Sequence, residues 1–285
     1  MIMNGKYRDL TKNGCPTGWK YAIEKWTIVC KEIHVSPMMS FFASFWGSAV
    51  LCLFLYGGTI GFNTIIGLPA DANAARLAFL IVPLLHGLGL MVVASTVFQI
   101  SGTGNPGLTL AFWVGRKISG TDAIIYVLGS TLAWVLFSAV FLIAVPVSTM
   151  LSGIPALQDG VDFGEGIFWE FIASFAWGIP MFLIVGKPDQ NISAGFGLTS
   201  AMMIAWAYTR AALNTHRVLG PALALLFVGN TEYWSTDIFA YLLGSPFGFV
   251  AAYIVYRVSF HMNEDKCAKS KSQFQEACIP AGPNC

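Results

Sequence analysis

Apolar residues in this chain gather into long blocks separated by short polar stretches. The blocks run from Met38 to Gly58, Leu77 to Phe98, Ala123 to Val145, Gly166 to Val185, Ala194 to Tyr208 and Ile238 to Val258. A helix needs roughly 20 such residues to cross a bilayer, so six membrane spans are predicted. Two further apolar runs are too short to cross: Pro106 to Val114, after Ser101-Gly-Thr-Gly-Asn105, and Arg217 to Val228, after Asn214-Thr-His216. These read as half-helices that enter the membrane and return. The expected fold is an all-α membrane protein with six transmembrane helices and two re-entrant half-helices. Residues 38–260 form its membrane domain, between an N-terminal tail (1–37) and a Cys-containing C-terminal tail (261–285).

The order of segments repeats. Each half holds three spans with one Asn-headed half-helix after its second span, and three is odd, so the halves have opposite orientations in the membrane. An inverted 3+3 repeat of this kind places its functional site where the halves meet near the midplane.

Charge orients the predicted spans. With both tails cytoplasmic, Lys6, Arg8, Lys12, Lys20, Lys25, Lys31, Arg116, Lys117, Lys187, Arg257, Lys266, Lys269 and Lys271 lie inside, and only Arg76, Arg210 and Arg217 lie outside. That is the bias expected of cytoplasmic loops. The connection from Pro146 to Glu165 carries acidic residues but no Lys or Arg, as an external loop does. Asn191-Ile192-Ser193 matches a glycosylation sequon, but this topology puts it inside.

Composition narrows the function classes. Of 285 residues, 55% are hydrophobic and 11% charged, against about 25% charged in soluble domains, and the mean hydropathy is +0.64. Lipid is the expected surrounding, and a net charge of +1 without a basic stripe excludes a nucleic-acid partner. Six cysteines show no Cys-x-x-Cys spacing, and five sit in the tails, where reduced thiols are expected. No metal or cofactor is expected. No span or loop pairs a nucleophile with a base, so enzymatic chemistry is excluded.

Candidate pore residues follow from the bilayer. Irregular backbone at membrane depth survives where protein buries it or where it lines water. Asn105-Pro106-Gly107 and Asn214-Thr215-His216 each open an apolar run, with Asn suited to capping and Pro106 to the first helical position. If both half-helices point their N-termini at the centre, their positive ends repel cations, protons included. The Asn105 and Asn214 amides then donate hydrogen bonds to a passing solute. Arg217, flanked by apolar residues, is an intramembrane ionisable group and a site candidate, the alternative being an arginine that snorkels to the surface.

These residues resemble the aquaporin, or major intrinsic protein, family over roughly Met38 to Val258. Gln99-Ile-Ser-Gly-Thr-Gly-Asn-Pro-Gly-Leu-Thr-Leu-Ala111 resembles the family's first pore loop, shortened by one residue, and Asn214-Thr-His-Arg-Val-Leu-Gly-Pro-Ala222 resembles the second. Arg116-Lys117-Ile118 with Tyr126, Glu170-Phe-Ile-Ala-Ser-Phe175, and Tyr241, Gly244 and Gly248 resemble parts of the third, fourth and sixth spans. The resemblance implies a homotetramer and a constriction made by His86, Ile204, Ala211 and Arg217, a set similar to the plant tonoplast subgroup. It also implies that Glu170 braces re-entrant backbone. Members of that subgroup pass water and, in various cases, urea, ammonia or hydrogen peroxide.

Departures from the family pattern set the open questions. The second box reads Asn-Thr-His rather than Asn-Pro-Ala, so Thr215 is expected to sit in the first turn or cap it, and His216 to narrow the pore or, charged below about pH 6.5, to block it. Ser44 stands where the first span usually has Glu, Gln99 where the first loop has His, and Gly107 where Ala is usual. The function expected is a passive channel for water and small neutral solutes. The alternatives are a non-conducting scaffold or subunit of a membrane complex, and an ion-coupled transporter, for whose midplane charges only Glu170, Arg217 and the two histidines compete, with no Asp inside a span. Gly47, Gly87, Gly89, Gly129 and Gly248 are expected at close helix crossings.

Overall fold

A computed structural model of the chain describes residues 36–66, 72–185, 189–231, 233–235 and 237–261. Residues 1–35 and 262–285, with five of the six cysteines, and Lys187 lie outside the described residues. The described residues are helical, with no strand among them.

Helix α1 (Pro37–Ile66) passes through a π-helical turn at Leu53–Gly57. It starts at Ser36, whose hydroxyl accepts from the Met39 N–H, with Pro37 at the first helical position. Then come α2 (Ala72–Ser95), the half-helix α3 (Pro106–Val114) and α4 (Gly120–Ala144). A short α5 (Val147–Ser152) follows, in what the sequence presents as a loop. Pro146 precedes its first turn, a placement that proline tolerates because no N–H is needed there.

The second half repeats the order. It comprises α6 (Phe163–Ile184), α7 (Gln190–Thr209), the half-helix α8 (His216–Leu225) and α9 (Ile238–Tyr256), which runs on into a π-helical turn at Arg257–His261. Asp162 and Glu165 close a reciprocal capping box at the start of α6.

Five of the long helices, α1, α2, α4, α6 and α9, are long and apolar enough to cross a membrane. The sixth, α7, has 20 residues, about 30 Å of helix, and so has the length. Its lower apolarity follows from its place: it packs against both α2 and α6 and buries small and polar residues such as Gly195, Thr199 and Thr209 there. The bundle is apolar outward as well as inward, with Trp46, Ile143 and Phe247 more than half exposed, which suits lipid.

Packing follows the repeat. Helix α1 lies on α4 and α6 on α9, while each half-helix packs mainly on the third long helix of the other repeat: α3 on α9 and α8 on α4. Equivalent glycines serve equivalent crossings. A Cβ on Gly129 would stand 2.8 Å from the Phe41 carbonyl, and one on Gly244 would stand 2.7 Å from the Ile167 carbonyl. At the α2–α7 crossing the relation is reciprocal. A Cβ on Gly87 would stand 2.5 Å from the Gly195 carbonyl, and a Cβ on Gly195 2.5 Å from the Gly87 carbonyl. The two repeats therefore meet backbone to backbone, as small residues permit.

Gly87→Val is expected to cost about 1–3 kcal/mol by overpacking, while Gly61→Val, where a Cβ meets nothing within 4 Å, is expected to be nearly neutral. Thermal unfolding of the two purified variants beside the parent measures the difference.

Candidate pore

The second pore loop is strained and firmly braced. After α7 ends at Thr209, Arg210, Ala211 and Leu213 have φ of 53°, 49° and 50°, the left-handed region that costs a non-glycine residue on the order of 1 kcal/mol or more. The fully buried Glu170 carboxylate offsets this. It accepts from Thr209 Oγ1 at 2.6 Å, the Ala212 N–H at 2.8 Å and the Leu213 N–H at 2.9 Å. Tyr241 adds a hydrogen bond from its hydroxyl to the Thr209 carbonyl at 3.0 Å.

The first loop reaches the same place without a carboxylate. Gly102 and Gly104 take the positive φ values, 100° and 61°. Ser101 Oγ lies 2.9 Å from the Tyr126 hydroxyl and 3.2 Å from Ser40 Oγ, and Thr109 Oγ1 donates to the Asn105 carbonyl at 3.0 Å. Ser44 sits where Glu170 sits in the other half: its Cβ is 3.3 Å from the place of a Cβ on Gly129, as the Glu170 Cβ is 2.7 Å from that of Gly244.

The loops interlock at the two asparagines. Asn105 Oδ1 accepts from the Gly107 N–H at 2.9 Å, and Asn214 Oδ1 from the His216 N–H at 3.1 Å, so each oxygen caps its own half-helix. Each nitrogen crosses to the other loop. Asn105 Nδ2 donates to the Leu213 carbonyl at 2.8 Å and Asn214 Nδ2 to the Gly104 carbonyl at 2.9 Å. The positive ends of the two half-helices are thereby held face to face.

A cavity of about 130 Å³ adjoins this junction. Three residues on one stripe of α2, His86, Leu90 and Ala94, line it, together with Ala194 and Leu198 on α7 and both asparagines, and none of its lining side chains is charged. His86 Nδ1 lies 2.7 Å from the Val82 carbonyl, and its buried Nε2 has no partner among the described residues. Arg217, 1% exposed, donates from Nη1 to the Ala211 carbonyl at 2.6 Å and makes a longer contact with that of Arg210 at 3.4 Å. It is buried rather than snorkelling to the surface.

The sequence profile of the family described as "Major intrinsic protein" matches residues 32–256. The chain belongs to the major intrinsic protein family. It is similar to "Aquaporin TIP4-1" of Arabidopsis thaliana, at 27% identity over 66% of this chain and 72% of that protein. With "Lens fiber major intrinsic protein" of Ovis aries it shares 30% identity over 71% of this chain and 80% of that protein. Among solved structures, the aquaglyceroporin from Plasmodium falciparum superposes with a TM-score of 0.64 at 17% identity, covering 78% of this chain and 96% of that one, which supports the fold. As a major intrinsic protein it is a multi-pass membrane channel for water or small solutes, in a family that is not enzymatic.

Within that family frame, one sequence expectation needs correction, and two residues of the second box take defined places. Ile204 does not face the bundle: it is 39% exposed and shares an outer stripe of α7 with Ile192, Phe196 and Ser200, set by the four-residue repeat of the helix. The inner stripe through Ala194 and Leu198 continues at Met202, which is fully buried. His216 is buried, and its Nε2 lies 2.8 Å from Thr131 Oγ1 on α4. Thr215 sits in the first turn, its carbonyl accepting from the Leu219 N–H; its hydroxyl makes no cap among the described residues, and its φ of −53° matches what a proline there would impose.

The other candidates stand together. Asn105, Pro106 and Gly107 open α3, Asn214 and Thr215 lead into α8, and Ala211 and Arg217 are in contact. The i, i+4 spacing puts Met202 on one stripe with Ala194 and Leu198, but the structure is needed to show that this stripe faces inward.

Glu170→Ala is expected to destabilise the protein by about 3 kcal/mol or more, because three buried donors lose their acceptor. Glu170→Gln, which keeps one oxygen, is expected to lose less. Thermal midpoints in detergent rank the two.

Proposed function

We propose that the protein conducts water and small neutral solutes passively and excludes protons and other ions. The carrying observation is the junction of Asn105 and Asn214 beside an uncharged cavity. Each asparagine Nδ2 has two hydrogens and spends one on the opposite loop, which leaves one for a solute in the path. A cation there meets two helix N-termini and finds no carboxylate on the cavity lining.

The constriction is assigned to His86, Met202, Ala211 and Arg217. His86 supplies the unpartnered Nε2, Arg217 a cation against which another cation is repelled, and Met202 apolar bulk. Urea, ammonia and hydrogen peroxide are the further solutes that such a size-limited path admits. The chain assembles as a homotetramer with both tails cytoplasmic, a reading supported by the family resemblance and the distribution of Lys and Arg between tails and loops. The second reading, a non-conducting scaffold, finds support in the tightness of the constriction, where His86, Ala211 and Arg217 are each no more than 1% exposed.

Stopped-flow shrinkage of proteoliposomes tests these readings. The parent is expected to exceed protein-free vesicles in water permeability. His216→Ala is expected to match the parent because His216 faces α4, and Asn214→Asp to fall because its donor to the Gly104 carbonyl is gone. Met202→Ala is expected to alter the ratio of solute to water flux, and Ile204→Ala to leave it unchanged. Parent vesicles no more permeable than empty ones would establish the scaffold.

A further inference from the structure

The cavity ends, away from His86, among carboxamides: Gln99 beyond α2, and Gln190 and Asn191 in the first turn of α7. We propose that Gln99 and Asn191 together form a recognition site for small neutral solutes carrying an N–H donor beside a carbonyl acceptor, the edge of urea or a primary amide. The proposal rests on the channel reading and adds a site at the cavity mouth that the central junction and the constriction do not supply.

The orientation of both amides is fixed by one contact. Gln99 Nε2 donates to the Ala94 carbonyl at 2.6 Å and to Asn191 Oδ1 at 3.3 Å. A backbone carbonyl only accepts, so the Gln99 atom beside it is the nitrogen. Asn191 must then turn its oxygen toward that nitrogen. Both hydrogens of Gln99 Nε2 are thereby used, and what remains is one acceptor, Gln99 Oε1, and one donor group, Asn191 Nδ2. Neither has a protein partner among the described residues.

That acceptor and donor belong to side chains already joined by a hydrogen bond, one from each repeat. Their chemistry is complementary to a solute amide: its N–H meets Gln99 Oε1 and its carbonyl accepts from Asn191 Nδ2. The stretch inward is apolar, through Leu90, Leu108, Phe112 and Met181. A solute entering there gives up hydrogen bonds to water, and a matched pair at the threshold returns two of them before the apolar stretch. Water accepts and donates in any orientation and gains little from a fixed edge. Cations find no carboxylate on the cavity lining.

Urea and water permeabilities of proteoliposomes carrying the parent, Gln99→Met, Asn191→Leu or both test the proposal. Loss of one neutral hydrogen bond predicts a fall in urea permeability of about three- to tenfold in each single variant, with water permeability kept and little further loss in the double. An unchanged ratio of urea to water in both single variants overturns the proposal, as does a parallel fall of both fluxes, which marks a merely structural pair. A parent that passes water but no urea overturns it alone. One that passes neither overturns the channel reading with it.

Discussion

Two hydrogen bonds hold the centre of this molecule: Asn105 Nδ2 to the Leu213 carbonyl and Asn214 Nδ2 to the Gly104 carbonyl. Each is made by the residue that caps one half-helix and received by the residue just before the other cap. Neither half-helix reaches across a membrane, with 9 residues in α3 and 10 in α8. Their ends would expose unpaired backbone at membrane depth, and an unpaired group there costs several kcal/mol. Interlocking the ends answers that constraint and leaves the half-helix N-termini facing one another. The surrounding packing serves the same contact, since α3 leans on α9 and α8 on α4, each from the opposite repeat.

The two loops solve one problem by different chemistry. Around Asn214 the backbone bends through three non-glycine residues with positive φ, and the Glu170 carboxylate holds the bend with three accepted hydrogen bonds. Around Asn105 two glycines make the turn without that strain, and hydroxyls of Ser101, Thr103 and Thr109 take the place of a charge. Ser44 fits this division, because a loop turned by glycine asks less of its brace. The altered second box is accommodated locally. Thr215 keeps the backbone angle the helix start needs, and His216 finds a partner in Thr131, so the interlock survives without proline or alanine.

The path beside the interlock is polar at few points. His86, the asparagines and the carboxamides at the mouth are separated by leucine, phenylalanine, methionine and tryptophan side chains, and no charge lines the cavity. Such a lining offers a solute brief hydrogen-bonding stations and little to bind tightly, which favours transit over storage.

Periodicity, charge and short motifs were enough to determine the helical class, the two half-helices, the inverted repeat and the residues of the interlock, because bilayer thickness imposes run lengths that the apolar blocks display directly. Pro106 to Val114 is the same helix in sequence and structure. Which side of a uniformly apolar helix faces the pore was not legible in that way: lipid and bundle interior are both apolar, so the usual contrast between faces is absent. That is why Ile204 was read as facing inward where the structure buries Met202 instead, and why α7, read as a shorter block, proved to be a full-length helix with its small and polar residues turned inward. The turn of His216 toward α4 and the meeting of Gln99 with Asn191 join residues 85 and 92 positions apart in the chain. Only the packing of one repeat against the other brings them together.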